Sequence, residues 1–435
     1  MQEVLTCGHQ LRDYSSLVSE EILSETERLA NGLKGLRVVH INATPQGGGV
    51  AEILNSLTPL LRSVGIDAEW YAIPPDESSV AITKSLHHFL QGNPGYLTSE
   101  QMDIYLTYNQ KAALELKNRS IAADVWVIHD PQVLPLVDFL PDAAKTVWNC
   151  HIDTTQPNEL IRDILMPFIN RYERVIFTLE QYVPEELSRD KVYIFAPAID
   201  PLSPKNLGLP SVVARQILSE LGIDPARPLI TQVSRFDRWK DPWGMIDAYR
   251  MAKRSIPNLQ LALVGVLAAQ DDPDARDVLR SVQNYAGGDP DIRIFSNPST
   301  VAEREVNTFQ TTSDVIVQKS IREGFGLTVA EAMWKGTPVV GGDCGGIALQ
   351  IRDGETGFLV SNPRDCAAKI VSLLEDHNLA RRIGEAGRES VRHNFLIPRL
   401  LRDHLSLYAS LVAAGSHIVA KVPVHGEKKV VATAS

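Results

Sequence analysis

Hydrophobic and polar positions along the chain follow two patterns, short runs rich in β-branched residues and longer amphipathic segments with helical spacing. Strands that alternate with helices in this way predict βαβ units built on parallel sheets. The predicted strands are 36–42, 68–72, 124–129, 146–151, 174–179 and 191–195 in the first half, and 229–234, 259–264, 292–295, 315–318 and 338–341 in the second. Helical patterns lie between them, for example at 50–64 and 243–254, and continue from 364 to about 412.

A proline-rich segment separates the two halves of the pattern. Pro197, Pro201 and Pro204 fall close together, and proline disfavours regular structure, so residues 196–208 are predicted to be a linker. The expected fold is α/β, with two doubly wound, Rossmann-like parallel-sheet domains that face a central cleft. The ligand is expected in that cleft, at the carboxyl ends of the strands.

The expected domain limits follow from this division. An N-terminal domain covers residues 1–200, a C-terminal domain covers 208–395, and a helix at 396–415 is expected to join the first domain. Residues 416–435 are polar or small and are expected to form a flexible tail.

Length and composition restrict the class of protein. At 435 residues the chain is long enough for two domains, and 44% hydrophobic with 22% charged residues is typical of a soluble globular protein. No run of about 18 apolar residues predicts a membrane helix, and the first residues lack a signal-peptide pattern. We therefore expect a cytoplasmic protein. A net charge of −10 argues against a nucleic-acid binder.

The four cysteines, Cys7, Cys150, Cys344 and Cys366, are scattered without a Cys-x-x-Cys pair. This spacing favours reduced thiols over disulfides or a zinc site. We expect no metal ligands, because no second half-site accompanies Cys7 and His9.

A glycine triplet, Gly47, Gly48 and Gly49, follows the first strand and precedes a helix. Glycines allow the backbone to approach a ligand, and the free amides of a helix start favour an anion. A simple tight turn is the alternative interpretation. The Gly-x-Gly-x-x-Gly dinucleotide pattern is absent, which argues against NAD binding.

A charged turn, residues 234–241, follows the first strand of the second half. Arg235 and Lys240 have the chemistry to neutralise a diphosphate, by a bidentate fork and a point charge respectively. A solvated surface turn is the alternative interpretation.

The segment 319–331 carries two carboxylates around a glycine pair. Gly324 and Gly326 are predicted to expose amides at a helix start that favours phosphate. Glu323 precedes this helix, and Glu331 is predicted about two turns inside it, roughly 12 Å away. Carboxylates accept hydrogen bonds from vicinal diols such as those of a hexose or a ribose. An ordinary capped helix is the alternative.

Two histidines, His129 and His151, stand at predicted strand ends, where side chains face the ligand crevice. A packed core histidine is the alternative at each position. Cys150 is not expected to act together with His151, because neighbours on a strand point to opposite faces.

Together these motifs resemble the family 4 glycosyltransferases, which are retaining GT-B enzymes. The shared features are the Glu323–Glu331 pair with seven residues between, the Arg235 and Lys240 pair, the glycine loop, and Gly345-Gly346-Ile347 followed by 354–360. The resemblance covers almost the whole chain.

Within that family the chain is most similar to the trehalose glycosyltransferring synthases. The stretches that carry this likeness are 40–52, 127–132, 150–153, 234–242 and 318–326. The resemblance implies transfer of glucose from UDP-, ADP- or GDP-glucose to free glucose, which gives α,α-trehalose. Asn149 stands where this group is expected to have arginine, and Ala196 and Ala198 stand where proline and serine are expected.

The resemblance also implies the roles of individual residues. Arg235 and Lys240 are expected at the donor diphosphate, Glu331 at the ribose, and His151 near the reacting hexose. The wider donor site comprises Glu323, Gly324, Phe325, Gly326, Leu327 and Thr328, with Gly47, Gly48 and Gly49 facing the phosphates from the other domain. Asp153, His129 and Asp130 are expected on the acceptor side.

No cofactor and no catalytic metal are expected, and the partners are the nucleotide sugar, glucose and trehalose, with a homodimer expected by base rate. Three other functions remain open: a trehalose phosphorylase, an α-glycosyltransferase with another acceptor, and a silent sugar-nucleotide sensor.

Overall fold

The computed structural model describes residues 1–141, 145–265 and 273–413. The strands are β1 (Gln2–Glu3), β2 (Arg37–Asn42), β3 (Asp67–Ala72), β4 (Val125–His129), β5 (Lys145–Cys150), β6 (Arg174–Phe177), β7 (Val192–Ile194), β8 (Leu229–Val233), β9 (Gln260–Val264), β10 (Ile292–Phe295), β11 (Val315–Gln318), β12 (Val339–Gly342) and β13 (Phe358–Val360). The helices are α1 (Glu20–Asn31), α2 (Gly49–Ser63), α3 (Val80–Leu90), α4 (Ser99–Asn118), α5 (Glu159–Ile169), α6 (Ser211–Glu220), α7 (Pro242–Lys253), α8 (Pro273–Ala286), α9 (Glu303–Thr312), α10 (Leu327–Trp334), α11 (Gly345–Gln350), α12 (Pro363–Glu375), α13 (His377–Asn394) and α14 (Ile397–Ala413).

Two sheets organise these elements. The first has the strand order β1-β3-β2-β4-β5-β6-β7, and only β1 is antiparallel to its neighbour. The second has the order β10-β9-β8-β11-β12-β13 and is parallel throughout. The central strands β4 and β8 are buried along their whole length, because helices cover both faces of a doubly wound sheet.

The prediction of two parallel-sheet α/β domains is confirmed. Every predicted strand is present within two residues of its predicted ends. The sequence did not predict β1 and β13. The first is a two-residue, exposed addition to the sheet edge, and the second is a three-residue strand that follows a turn.

The polypeptide passes between the two sheets at two adjacent places, the linker and the start of α14. The backbone amide of Ile199 donates to the Phe395 carbonyl at 2.8 Å, and the amide of Ile397 donates to the Ile199 carbonyl at 2.9 Å. The guanidinium of Arg399 also donates to the Ala196 carbonyl at 2.6 Å. These bonds hold the two crossing segments side by side.

The last described helix, α14, packs against α1 and α2 of the first sheet. Leu401, Leu405 and Leu411 of this helix are fully buried. Burial of each leucine stabilises the packing by about 1.5–3 kcal/mol. We propose that residues 1–200 form one domain together with this helix, and that residues 208–395 form the other domain. The predicted tail, 416–435, lies outside the described residues.

Candidate active site

A cavity of about 510 Å³ lies between the two sheets and is lined by residues of both. Its walls include the segment after β2, the ends of β4 and β5, and the loops that follow β8 and β11. All of these are carboxyl ends of parallel strands, which is where ligands of open α/β sheets bind.

The glycine loop forms one wall. Gly47 and Gly48 have φ values of +76° and +152°, which L-residues with a Cβ rarely adopt, and α2 starts directly afterwards at Gly49. A Cβ on Gly49 would lie 3.3 Å from Leu327 of the opposite domain. The loop therefore brings a helix N-terminus close to the facing side of the cavity, as the sequence predicts.

On the opposite wall, Lys240 forms an ion pair with the carboxylate of Glu323. Ser320 Oγ lies 3.3 Å from the same carboxylate. Both charged side chains are nearly buried, with 13% and 12% of their surface exposed. The loop that carries Lys240 is held by Gln232, whose amide donates to the Lys240 carbonyl at 2.7 Å.

Arg235 also lines the cavity, but its side chain is 56% exposed. Its only ion pair within the described residues is with Asp237, at 3.5 Å. An exposed ion pair of this length contributes little free energy, so the guanidinium is available to a ligand.

Helix α10 begins at Leu327, after Gly326, whose φ is +84°. Gly324, Phe325, Gly326, Leu327 and Thr328 all line the cavity. A Cβ on Gly324 would lie only 2.2 Å from the His151 carbonyl oxygen, so this close approach of the two domains requires glycine. The first-turn amides of the helix favour an anion here.

The position of Glu331 differs from the prediction in two respects. The helix starts at Leu327, so Glu331 lies about one turn inside it and not two. Its side chain is fully buried and does not line the cavity. Lys205 forms an ion pair with it at 2.6 Å, and Gln310 donates to it at 2.7 Å. Sequence patterns do not report such long-range partners.

Charge surrounds the buried Glu331 carboxylate. Burial alone raises its pKa, but the ammonium groups of Lys205 and Lys335 outweigh this effect and lower the pKa to about 2. The same Lys205 lies 3.1 Å from both carboxylate oxygens of Glu52, which lines the cavity. Lys205 therefore links α2 of one domain to α10 of the other.

Sequence reasoning missed Lys205 and Glu52 as site residues. Lys205 lies in the proline-rich linker, and Glu52 lies in the first turn of α2. The sequence offers one indication for Lys205 and Glu52, which is that each lies next to a segment already expected to line the cleft.

His151 lines the cavity, and its backbone amide donates to the Asp130 carboxylate at 2.8 Å. Burial lowers the pKa of His151 and raises the pKa of Asp130. Asp130 and His129 also line the cavity. Both ring nitrogens of His129, however, lie 3.0 Å from nitrogens of His40 and His151. Both ring nitrogens of His129 are thus engaged with neighbouring histidines, and its expected place on the acceptor side stays a prediction.

Asp153 is not among the residues that line the cavity, and its expected place on the acceptor side stays a prediction. The residue is 4% exposed, and its carboxylate accepts a hydrogen bond from the Thr155 amide at 3.0 Å. The chain turns directly after His151, and the aspartate closes this turn.

Arg322 reaches from the second domain to the first. Its guanidinium donates to the Gln91 carbonyl and, at 3.0 Å, to the Gln156 side chain. The same group stacks over the Trp239 ring at 5.3 Å. Gln91 lines the cavity, so this arginine bridges the two domains next to the cavity.

His87 of α3 is a further cavity residue that the sequence did not indicate. Burial is the main cause that lowers its pKa to about 3, and the nearby Arg235 acts in the same direction. The imidazole is therefore neutral at physiological pH.

Among residues 1–141, 145–265 and 273–413, no three His, Cys, Asp or Glu side chains are grouped to hold a metal ion. Within the same residues, no helix has both the length and the apolar character needed to span a membrane. All four cysteines are unpaired.

Comparisons with known proteins agree with this architecture. Residues 40–184 match the family described as trehalose synthase, N-terminal domain, and residues 214–390 match glycosyl transferases group 1. A trehalose synthase from Rubrobacter xylanophilus is 46% identical over 93% of this chain and 98% of its own length.

Two further similarities are more distant. A trehalose phosphorylase from Grifola frondosa is 28% identical over 87% of this chain and 58% of its own length. Among solved structures, the sucrose-phosphate synthase of Thermosynechococcus elongatus has a TM-score of 0.68 at 21% identity, over 87% of this chain and 100% of that one. This structural likeness shows the GT-B fold. With that fold, this cleft and the sequence identity above, the chain belongs to the trehalose synthase family and is a glycosyltransferase.

Proposed function

We propose that this enzyme transfers a glucosyl group from a nucleoside-diphosphate glucose to free glucose and forms α,α-trehalose with retention of configuration. The observation that carries the proposal is the Lys240–Glu323 pair, which lies in the cavity beside the N-terminus of α10. It combines a cation and helix amides for phosphate with a carboxylate for sugar hydroxyls.

The donor diphosphate is proposed to lie between the glycine loop and the start of α10. When the anomeric bond breaks, negative charge develops on the leaving phosphate. The cavity lining includes Arg235, Lys240, Leu327 and Thr328. We assign the two cations and the amides of Leu327 and Thr328 to the stabilisation of this charge. We propose that these protein groups suffice without a catalytic metal, so the assay below omits divalent ions.

The transferred hexose is proposed to contact Glu323 and His151, whose side chains line the same cavity. The Glu323 carboxylate is assigned to sugar hydroxyls, and the donor phosphate is assigned as the base that deprotonates the attacking hydroxyl on the same face. The acceptor glucose is proposed to lie on the side of Asp130, a predicted acceptor residue that lines the cavity.

A ribose contact for Glu331 requires a change from the present arrangement, because Lys205 covers the carboxylate. Lys205 already contacts Glu52 at 3.1 Å on its other side, so a small displacement keeps its charge paired. We propose that donor binding displaces Lys205 in this way and opens Glu331 to the ribose hydroxyls.

The test is product analysis after incubation of the purified protein with UDP-, ADP- or GDP-glucose and glucose, without divalent metal. We expect trehalose and free nucleoside diphosphate in equal amounts. Formation of glucose 1-phosphate from trehalose and phosphate, with no disaccharide from any donor, would transfer the assignment to a phosphorylase. If other acceptors give a disaccharide and glucose gives none, the proposed donor class would stand, but glucose would be rejected as the acceptor.

A further inference from the structure

Three histidines form a continuous row from the cavity into the protein. His151 Nε2 lies 3.0 Å from His129 Nδ1, and His129 Nε2 lies 3.0 Å from His40 Nδ1. The planes of neighbouring rings differ by 17° and 26°. Nitrogens at this distance, in rings so nearly coplanar, are hydrogen-bonded.

Strand register places these three side chains together. His40 of β2 pairs with Val127 of β4, two residues before His129. His129 pairs in turn with Asn149 of β5, two residues before His151. Because side chains two residues apart on a strand share a face, all three imidazoles point to the same side of the sheet.

The row continues into the last helix. The Tyr408 hydroxyl lies 3.3 Å from His40 Nε2 and 3.2 Å from His404 Nδ1. His404 and Tyr408 are four residues apart on α14 and therefore share one helix face. His40, His404 and Tyr408 are buried, so no bulk water competes for these bonds.

All four imidazoles are neutral at physiological pH. Burial lowers the pKa of His40, His129 and His151, and lowers that of His404 to about 4. A neutral imidazole has one donor nitrogen and one acceptor nitrogen. In such a row each donor faces an acceptor, so all members share one direction of donation.

The hydroxyl of Tyr408 sets the direction of hydrogen-bond donation along the row, because it can donate to either of its two histidine neighbours. If its hydroxyl donates to His40, then His40 and His129 each donate onward and His151 carries its proton on Nδ1. If the hydroxyl donates to His404 instead, every proton lies on the other nitrogen and His151 Nδ1 is an acceptor. The number of protons in the row is the same in both cases.

We propose that Tyr408, His40 and His129 are positioning residues that fix which ring nitrogen of His151 carries its proton. Nε2 of His151 is engaged in the row, which leaves Nδ1 to serve a ligand in the cavity. One hydrogen-bond direction at Nδ1 thereby becomes available to the reacting sugar. The kinetic part of this inference rests on the proposed function, whereas its spectroscopic part does not.

The test compares Tyr408→Phe with a matched control, Tyr172→Phe. Tyr172 is equally buried, and its hydroxyl donates to the Leu134 carbonyl at 2.6 Å, outside the row. We expect Tyr408→Phe to lower kcat about three- to tenfold, the equivalent of one hydrogen bond, with an unchanged KM for the donor. The control variant is expected to keep the wild-type kcat.

The direct readout is the ¹⁵N NMR spectrum of the histidine side chains, in which Nδ1-H and Nε2-H tautomers have different shifts. We expect a single tautomer of His151 in the wild type and a changed or mixed one in Tyr408→Phe. An unchanged His151 tautomer overturns the proposal, even if the enzyme uses another substrate. An equal loss of kcat in both tyrosine variants also overturns it.

A second variant guards against a folding defect in Tyr408→Phe. His40→Asn places an amide near the position of Nδ1 but removes the link to Tyr408. We expect His40→Asn to lower kcat as much as Tyr408→Phe does. The double variant is expected to show no further loss of kcat, because both changes break the same connected row. Additive losses would contradict the connection.

Discussion

At the scale of single residues, the site depends on charges that are enclosed but paired. Lys240 and Glu323 are both nearly buried, and the charge of each offsets the desolvation free energy of burying the other. The same pairing keeps the ammonium at a fixed place in the cavity before any substrate arrives. A fixed charge of this kind stabilises a leaving group without reorganisation during the reaction.

We expect Lys240→Met to lower kcat/KM about 10²- to 10³-fold, because the variant removes one of the groups that we propose to stabilise the leaving phosphate. Steady-state kinetics with the best donor measures the change. The matched control is Lys253→Met, since Lys253 is also partly buried and paired with Asp289 and Asp291, but outside the cavity. Equal losses of kcat/KM in both variants would contradict a specific role for Lys240.

Glu331 gives a prediction about pH and stability. Its folded-state pKa, about 2, lies below the ordinary value of 4.5, so its contribution is present above pH 4.5 and is lost as the pH falls towards 2. We expect Glu331→Gln to be less stable than the wild type at pH 7, by about 3 kcal/mol. This difference should shrink between pH 5 and pH 3.

Urea unfolding of both proteins at pH 7, 5, 4 and 3 measures this difference. A free energy difference that stays constant over the whole range would show that the Glu331 carboxylate has no depressed pKa.

The residue scale also shows where sequence reasoning stopped. Glu323, Lys240 and His151 were predicted to face the cleft because each lies in a short local motif, and all three line the cavity. The partners of Glu331 are far away in sequence, with Lys205 in the linker and Gln310 on α9, and the burial of the carboxylate depends on them. His40 and Tyr408 are separated by 368 positions, so no local pattern connects them.

At the scale of elements, segments at the carboxyl ends of the strands and the starts of α2 and α10 line the cavity, and glycines determine how closely they approach. Gly324 allows the loop before α10 to lie against the backbone of His151. Gly345 and Gly346 allow the start of α11 to lie against the same loop, and the Gly346 amide donates to the Glu323 carbonyl at 3.0 Å. Tyr182 adds a hydroxyl 2.9 Å from the same carbonyl.

Gly324→Ala should therefore displace this loop, because the new Cβ would lie 2.2 Å from the His151 carbonyl oxygen. A displacement of about 1 Å at a reacting centre lowers the rate by about 10²-fold, and we expect a loss of this size in kcat/KM. Gly208→Ala is the control, because its Cβ would meet no atom within 4 Å. Full activity in Gly324→Ala would show that the contact between the domains is not needed.

Strand prediction succeeded at this scale for a physical reason. Buried parallel strands such as β4 and β8 are rich in β-branched and other apolar residues and lie between turn residues, so their pattern is local. The edge strand β1 has no such pattern, because its two residues are exposed, and β13 is apolar but only three residues long. The predicted start of α10 lay too close to the N-terminus of the chain. The positive φ of Gly326 ends the loop directly before the helix, and composition does not reveal this backbone conformation.

At the scale of the whole molecule, specific polar contacts join the two domains across the cleft. Arg322 bridges to Gln91 and Gln156, and Lys205 bridges Glu52 to Glu331. The two crossing segments at Ile199 and Leu396 lie side by side. This arrangement is suited to a closing motion that excludes water from a reactive donor.

We expect Arg322→Met to open one side of the cleft, lower the rate of transfer about tenfold, and raise the fraction of donor lost to hydrolysis. Simultaneous measurement of disaccharide and free glucose from the donor gives this ratio. Arg352→Met is the control, because Arg352 is 69% exposed and its side chain pairs only with the neighbouring Glu355 within the described part of the chain. An unchanged ratio in Arg322→Met would contradict a role in closure.

The most direct single measurement is to follow the fate of the donor's own carbon. The protein is incubated with nucleoside-diphosphate [1-¹³C]glucose and unlabelled glucose, and the products are identified by ¹³C NMR. We predict α,α-trehalose with one labelled ring per molecule, and one nucleoside diphosphate released for each disaccharide. Label recovered as free glucose, as glucose 1-phosphate or in a β-linked product would contradict retaining transfer to glucose.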